Sequence, residues 1–561
     1  MLSFYSLFKK VNTLIIASIL LSAGGFASYA SASEIVAAPL NPHFVEWQKK
    51  IDEAKTSAPE KGSTDPLGVD VSHGYAPSPV NWSHLENEVY SVINTTNRLG
   101  TNPVSYDLRS EMPVVRNQDP FGTCWTFSAM AASESNLIHD KKILTKDNAD
   151  LSEWYLAYYG FNDESDDLPS FTFDSSGGTK KYYDVGGDDW RSAAILARGT
   201  GFLDESSAAY PQSTATVYKP DVQARKYKLK NALYLGNLGV KEVRLKDSRI
   251  NTIKEAIRTY GAVSIGITQG DSDLYLNPTT AAYFIKSEDS GTNHAVTIVG
   301  WDDDYATSKF NASPRPTNKG AWIVRNSWGS SWGDGGYYYV SYEEGSLNDG
   351  VAYDTVAAPD KEKIYQYDPL GLCSFMGYTS VKPAYFANIF TATRNEKINS
   401  VSFYTSRPDS QCTIEIYKDC GNSPKGGTRV AVKSVTITAP GYNTVDLDSV
   451  VEISKYVKFS VVVSILQPDI SDYAIPVEYP ITGYSEKATA SAGQSFISLD
   501  GTTWEDLTGI SGYEKANVCL KAFGTSDDTG SGSSSGCSTG PGMILLFSLA
   551  VMPFMFRGKK H

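Results

Sequence analysis

Past Pro359 the amino-acid pattern changes texture, and no other feature constrains the chain as strongly. From 364 to 524 nearly every stretch is a short run of alternating apolar residues broken by Gly, Pro, Asp or Asn. Runs at 398–405, 412–418, 428–438, 456–466 and 518–523 carry the two-residue period of half-buried strands. Many short strands at this spacing predict an all-β sandwich or jelly-roll domain over 359–524. Before 359 the period is helical. The Ala-rich run that begins at Phe127 repeats apolar residues at helical spacing, and 152–159, 188–198 and 250–260 read as further helices. Strand-like runs follow at 262–268, 294–301, 320–326 and 337–342. Helices first and strands after predict an α+β domain over 102–358. At 561 residues and 41% hydrophobic, the chain can supply each unit with its own core.

The two ends have different chemistry. Lys9 and Lys10 precede an apolar stretch from Val11 to Phe26 and then Ala30-Ser31-Ala32, so residues 1–32 read as a secretory signal peptide. Residues 33–101 are polar and turn-prone, a pro-region or N-terminal extension with short helices at 44–54 and 82–95 but weak folding of its own. At the far end, 525–541 is a Gly/Ser linker that carries Cys537. Residues 542–561 form an apolar sorting or anchor segment with a basic end. Its apolar run, 543–556, is roughly 21 Å long as a helix, shorter than a full span requires. That shortness favours a processed signal, with Cys537 as the processing or attachment point; read as a plain anchor, it would be a transmembrane helix.

A net charge of −13 supplies no basic stripe, so no nucleic-acid partner is expected. Six Cys in so long a chain are too few for a disulfide scaffold. Cys412–Cys420 and Cys373–Cys519 are open as disulfide pairings. No CxxC pair or His cluster marks a metal site, and no cofactor is expected.

One constellation carries chemistry. In Gln118-Asp119-Pro120-Phe121-Gly122-Thr123-Cys124-Trp125 the thiol falls at a helix N-terminus, where free amides and the helix dipole favour thiolate. The Cys124 amide and the Gln118 side chain can meet a developing oxyanion. His294, in Thr292-Asn293-His294-Ala295-Val296, heads a strand and is the candidate base. Asn326, in Arg325-Asn326-Ser327-Trp328-Gly329, can accept the imidazole's other N–H, with Trp328 shielding that bond.

These segments resemble the papain-like cysteine peptidases. The family's motifs correspond to Gln118 through Ser128, to Asn293 through Trp301, and to Asn326 through Tyr337, the last long and specific. The resemblance covers about 102–357 and implies a two-subdomain α+β catalytic domain with Cys124, His294, Asn326 and Gln118 as catalytic residues. It also implies that Gly186, Gly187 and Asn293 bind substrate. The family's usual disulfide is absent, since Phe121 and Asp184 stand where its cysteines would be; the cleft wall must be held by packing. The spacing from Cys124 to His294 is longer than usual, which points to inserted loops at 162–184 and 302–319.

The expected function is hydrolysis of peptide bonds in a peptide or protein substrate through a thioester acyl-enzyme. Two alternatives stand beside it: a surface adhesion protein built on an inactive peptidase fold, and a transpeptidase on the same fold. The 359–524 region resembles the lectin-like β-domains that follow some bacterial papain-like peptidases, which implies a cell-surface glycan as a partner. Gly536-Cys537-Ser538-Thr539-Gly540 resembles the Cys-containing sorting signals of certain diderm bacteria, which implies sorting or processing machinery as another. The expected location is the cell envelope or surface, with the chain either anchored through its C-terminus or released.

Overall fold

The computed structural model describes residues 34–56, 74–86, 88–93, 100–162, 168–173, 181–222, 224–239, 243–270, 272–286, 292–379, 383–468 and 472–526. The expected signal peptide at 1–32, the linker with Cys537 and the apolar end segment lie outside the described residues.

The first half is α+β. Helix Cys124–His139 is buried from Cys124 through Ile138 and lies across a sheet whose neighbouring strands include Val263–Ile267, His294–Asp302, Ala321–Arg325 and Tyr337–Ser341. Helices Glu153–Phe161 and Asp189–Ala197 pack against it and against each other. Each begins on a side-chain cap, Ser152 accepting from Tyr155 N–H and Asp188 from the amides of Trp190 and Arg191. Helix Val243–Tyr260 extends further toward its N-terminus than the apolar spacing predicts. Strands Tyr227–Gly236 and Asn348–Ala357 were not anticipated, although the alternation Tyr227-Lys228-Leu229-Lys230 carries the strand period.

The second half is β-rich, as its alternation predicts, with strands that include Glu396–Thr405, Ser410–Lys418, Thr428–Ile437, Gly441–Ile453 and Lys458–Leu466. It is no detached module. Gly441 and Tyr442 pair with Leu233 and Ala232, so strand Tyr227–Gly236 joins the two halves into one 13-stranded sheet. Tyr234 N–H also donates to Pro440 O at 2.8 Å, so this part of the strand's edge is covered by the neighbouring half.

The N-terminal region is better ordered than its composition suggests. Ile35–Ala37 pairs with Tyr378, Gly377 and Met376 of the second half. Helix Pro42–Thr56 buries Phe44 edge-on against Tyr484, with ring centroids 6.0 Å apart. These partners lie hundreds of residues away, so local pattern could not reveal them. The helix expected at 82–95 is only the single turn Ser83–Leu85. Beyond it the chain is drawn out by long-range bonds: Tyr90 OH donates to Tyr234 O at 3.0 Å, Thr252 Oγ1 to Tyr90 O at 2.9 Å, and Ser91 Oγ to Glu255 Oε2 at 2.7 Å.

Three expectations are corrected. Cys412 and Cys420 do not form a disulfide. Both are buried and free: Cys412 packs in the sandwich core with Ile414 and Ile416, whereas Cys420 faces a separate cluster with Tyr417 and Phe496. Cys373 and Cys519 are likewise free thiols, Cys373 Sγ donating to Ser485 Oγ at 3.3 Å. The transmembrane helix is corrected to what is seen: no helix among the described residues is long and apolar enough to cross a membrane, and the run at 543–556 lies outside them. The 18 residues of helix Val243–Tyr260 include Lys246, Asp247, Arg249, Lys254 and Glu255, each costly in hydrocarbon.

Candidate active site

Helix Cys124–His139 and strand His294–Asp302 set the site between them. Ser128, one turn into the helix, donates its hydroxyl to Val296 O at 2.6 Å and lies 2.7 Å from Ser264 Oγ. That bond fixes the helix's rotation and height on the sheet. In consequence Cys124 Sγ accepts the Ala295 N–H at 3.2 Å, directly beside His294 in the chain.

His294 and Asn326 are both buried. His294 Nε2 and Asn326 Oδ1 are 2.8 Å apart, and the same oxygen accepts Ser327 N–H at 2.8 Å. Accepting both bonds fixes Asn326's amide orientation and makes Nε2 the protonated ring nitrogen, so Nδ1 is the basic one. The Trp328 ring stacks on the imidazole, centroids 5.2 Å apart and 30° between planes.

Gln118 is tied to the same loop. Its backbone N–H donates to Ser327 O at 2.7 Å, and Ser327 Oγ donates to Gln118 Oε1 at 2.6 Å. The side-chain nitrogen therefore points to the opposite side, where it donates to Phe121 O at 3.0 Å. Tyr210, which no motif identified, supports this turn by donating to Gln118 O at 2.7 Å and lying 2.5 Å from Thr123 Oγ1. In place of a disulfide, the wall is aromatic: Phe121 packs on Tyr183 with centroids 4.8 Å apart, and on Trp154 at 5.6 Å.

Gly186 and Gly187 form a flat platform, Gly187 on the Trp125 ring and Gly186 facing Gly74 and Tyr75. A Cβ on Gly187 would come within 2.4 Å of that ring, so only glycine fits. The platform is occupied. Gly187 N–H donates to Gly74 O at 3.2 Å, Ala76 N–H to Gly187 O at 2.9 Å, and Tyr75 N–H to Asn293 O at 3.3 Å. Tyr75 and Gly187 are bridged in parallel, and Gly74 lies so close to Gly122 that a Cβ on it would be 2.2 Å from the Gly122 carbonyl carbon. The cleft thus holds residues 74–76 of the same chain, a feature no residue motif foretold. Cys124 is fully buried; burial pushes its thiol well up, against the lowering effect of the Ala295 N–H.

Residues 102–357 match the family model described as papain family cysteine protease, and residues 364–524 match that of a lectin like domain. A cysteine protease of Blomia tropicalis is 28% identical over 46% of this chain, which spans 68% of that relative. Fruit bromelain of Ananas comosus is 29% identical over 42% of the chain, which spans only 54% of it. Among solved structures, the cysteine protease and lectin-like domains of Cwp84, a surface layer associated protein of Clostridium difficile, match with a TM-score of 0.68. They are 23% identical and cover 87% of this chain and 98% of that one. A clostridial Cwp84 structure after propeptide cleavage matches at a TM-score of 0.63 and 26% identity, over 75% of this chain and 98% of that one. Through residues 102–357 the chain belongs to the papain family of cysteine proteases, peptidases that break peptide bonds with a cysteine thiol.

Proposed function

We propose that this chain hydrolyses peptide bonds in protein substrates, with Cys124 as nucleophile and His294 as its base. The observation that carries the reading is the Nε2–Oδ1 bond of 2.8 Å between His294 and Asn326, which aims the basic ring nitrogen away from Asn326. With the cleft open, the Cys124 thiol passes its proton to His294 Nδ1 and the thiolate attacks the substrate carbonyl. The amide of Cys124 and a side-chain N–H of Gln118 receive the oxyanion. His294 returns the proton to the leaving amine, and a water activated by the same nitrogen cleaves the thioester.

The N-terminal residues 33–101 act as a pro-segment. Support comes from the three backbone bonds that hold residues 74–76 on Gly187 and Asn293. While they stay, Cys124 is sealed; their departure opens the platform to substrate. The location proposed is the cell surface, in keeping with the surface-layer association of the similar clostridial protease, and the lectin-like region is assigned a cell-surface glycan.

Three outcomes are expected. The processed chain cleaves a denatured protein substrate; Cys124→Ala abolishes cleavage, and Asn326→Ala lowers kcat/KM by about 10- to 100-fold, the worth of one bond to a charged group. Retained cleavage by Cys124→Ala would remove the nucleophile assignment. Gly74→Val, which forces a side chain into Gly122, speeds alkylation of Cys124 in the unprocessed chain by about 10- to 100-fold; an unchanged rate refutes the pro-segment. On a glycan array the full chain binds at least one surface polysaccharide, and a blank array rejects that partner.

A further inference from the structure

Tyr75 does more than cover the cleft. Its backbone sits on the Gly187 platform and its side chain turns down into the catalytic domain, where it is only 3% exposed. The ring lies over Gly266, where an added Cβ would be 3.4 Å from Tyr75 Cε2. Past the ring, the Tyr75 hydroxyl donates to Asp349 Oδ2 at 3.1 Å. Asp349 is positioned from its own backbone: its N–H donates to Asn237 Oδ1 at 2.9 Å, and its φ of +53° turns the chain inward at the end of the pocket. On this side Thr292, Asn293, Asn348 and Asp349 line a cavity of about 630 Å³, with His43, Trp47 and Trp82 of the N-terminal segment lining it too.

The register of the segment says which substrate position this pocket serves. Gly74 lies on Gly122, two residues from the nucleophile, and Tyr75 lies one residue further along, on Gly187. For a substrate laid antiparallel on Gly187, opposite in direction to residues 74–76, a pocket at this position receives the residue before the one whose carbonyl meets Cys124.

We propose that Asp349 sets the substrate preference of this peptidase, selecting tyrosine at the residue preceding the scissile one by accepting its phenolic O–H. The inference rests on the reading of residues 74–76 as occupants of the substrate cleft. Once the segment leaves, the pocket keeps a carboxylate at its end, and a purely apolar side chain would bury that group without a donor. A site built to bond a hydroxyl rejects the analogue that lacks it more strongly than an apolar pocket discriminates by size. Phenylalanine, identical but for the hydroxyl, is the sharpest comparison.

The test uses processed chain and matched fluorogenic peptides that differ only in Tyr, Phe or Leu at that residue. Wild type is expected to favour Tyr over Phe by about 10- to 100-fold in kcat/KM. Asp349→Leu is expected to bring the ratio to one or below while Phe and Leu peptides are still cleaved. A wild-type Tyr:Phe ratio near one, or a ratio that Asp349→Leu leaves unchanged, overturns the proposal. Should no peptide be turned over, the ratio is read from alkylation rates with epoxide probes carrying Tyr or Phe, and equal rates overturn it equally. Failure of the cleft-occupancy reading shows separately, as alkylation of Cys124 in unprocessed chain that neither Gly74→Val nor Tyr75→Phe accelerates.

Discussion

The contact between helix Cys124–His139 and strand His294–Asp302 is the one on which the remaining geometry depends. Its polar anchor is the Ser128 hydroxyl, which, buried among Ser264, Val296 and Thr297, bonds where a misplacement by one helical turn would leave it orphaned. With rotation and height fixed there, the helix N-terminus brings Cys124 to Ala295, and the strand's head brings His294 to Asn326. The turn at Gln118 then closes on Ser327, so Cys124, His294 and Gln118 are placed by three elements that brace one another.

The second half of the chain enters this arrangement through backbone. One sheet runs from the catalytic strands into the β-rich half at Leu233 and Gly441, so the two are a single mechanical unit. The same half clamps the N-terminal region, by strand Ile35–Ala37 and by Phe44 on Tyr484. Residues 74–76 are therefore held over the cleft from two sides, by the platform they cover and by the β-rich half upstream of them. In this account the lectin-like region acts on the peptidase by holding its cover, in addition to any ligand of its own.

Much of the fold was legible in the sequence because it is local. The helix at Cys124, the strand at His294 and the loop at Asn326 announce themselves by period and by specific motifs, and the structure brings those three residues together. The β texture past 359 was equally plain. What could not be read is what distant partners decide. Ser128 and Tyr210 are ordinary residues until Val296 and Gln118 arrive beside them. Residues 34–56 looked weakly folded because their partners, near 376 and at 484, are remote in sequence. The cysteine pairings failed for a related reason: proximity in sequence put Cys412 and Cys420 together, but strand and turn send them to different clusters. Asp349 carried no signal at all, being one acidic residue among 63 until Tyr75 marks it.

The central claim is a reactive Cys124–His294 pair sealed by the chain's own N-terminal residues. Intact mass after exposure to an excess of an epoxide inhibitor of papain-family enzymes tests it most directly, on unprocessed chain, processed chain and processed Cys124→Ala. The account predicts one adduct, mapped to Cys124, on processed chain alone. An adduct on processed Cys124→Ala, or none on processed wild type, would contradict it.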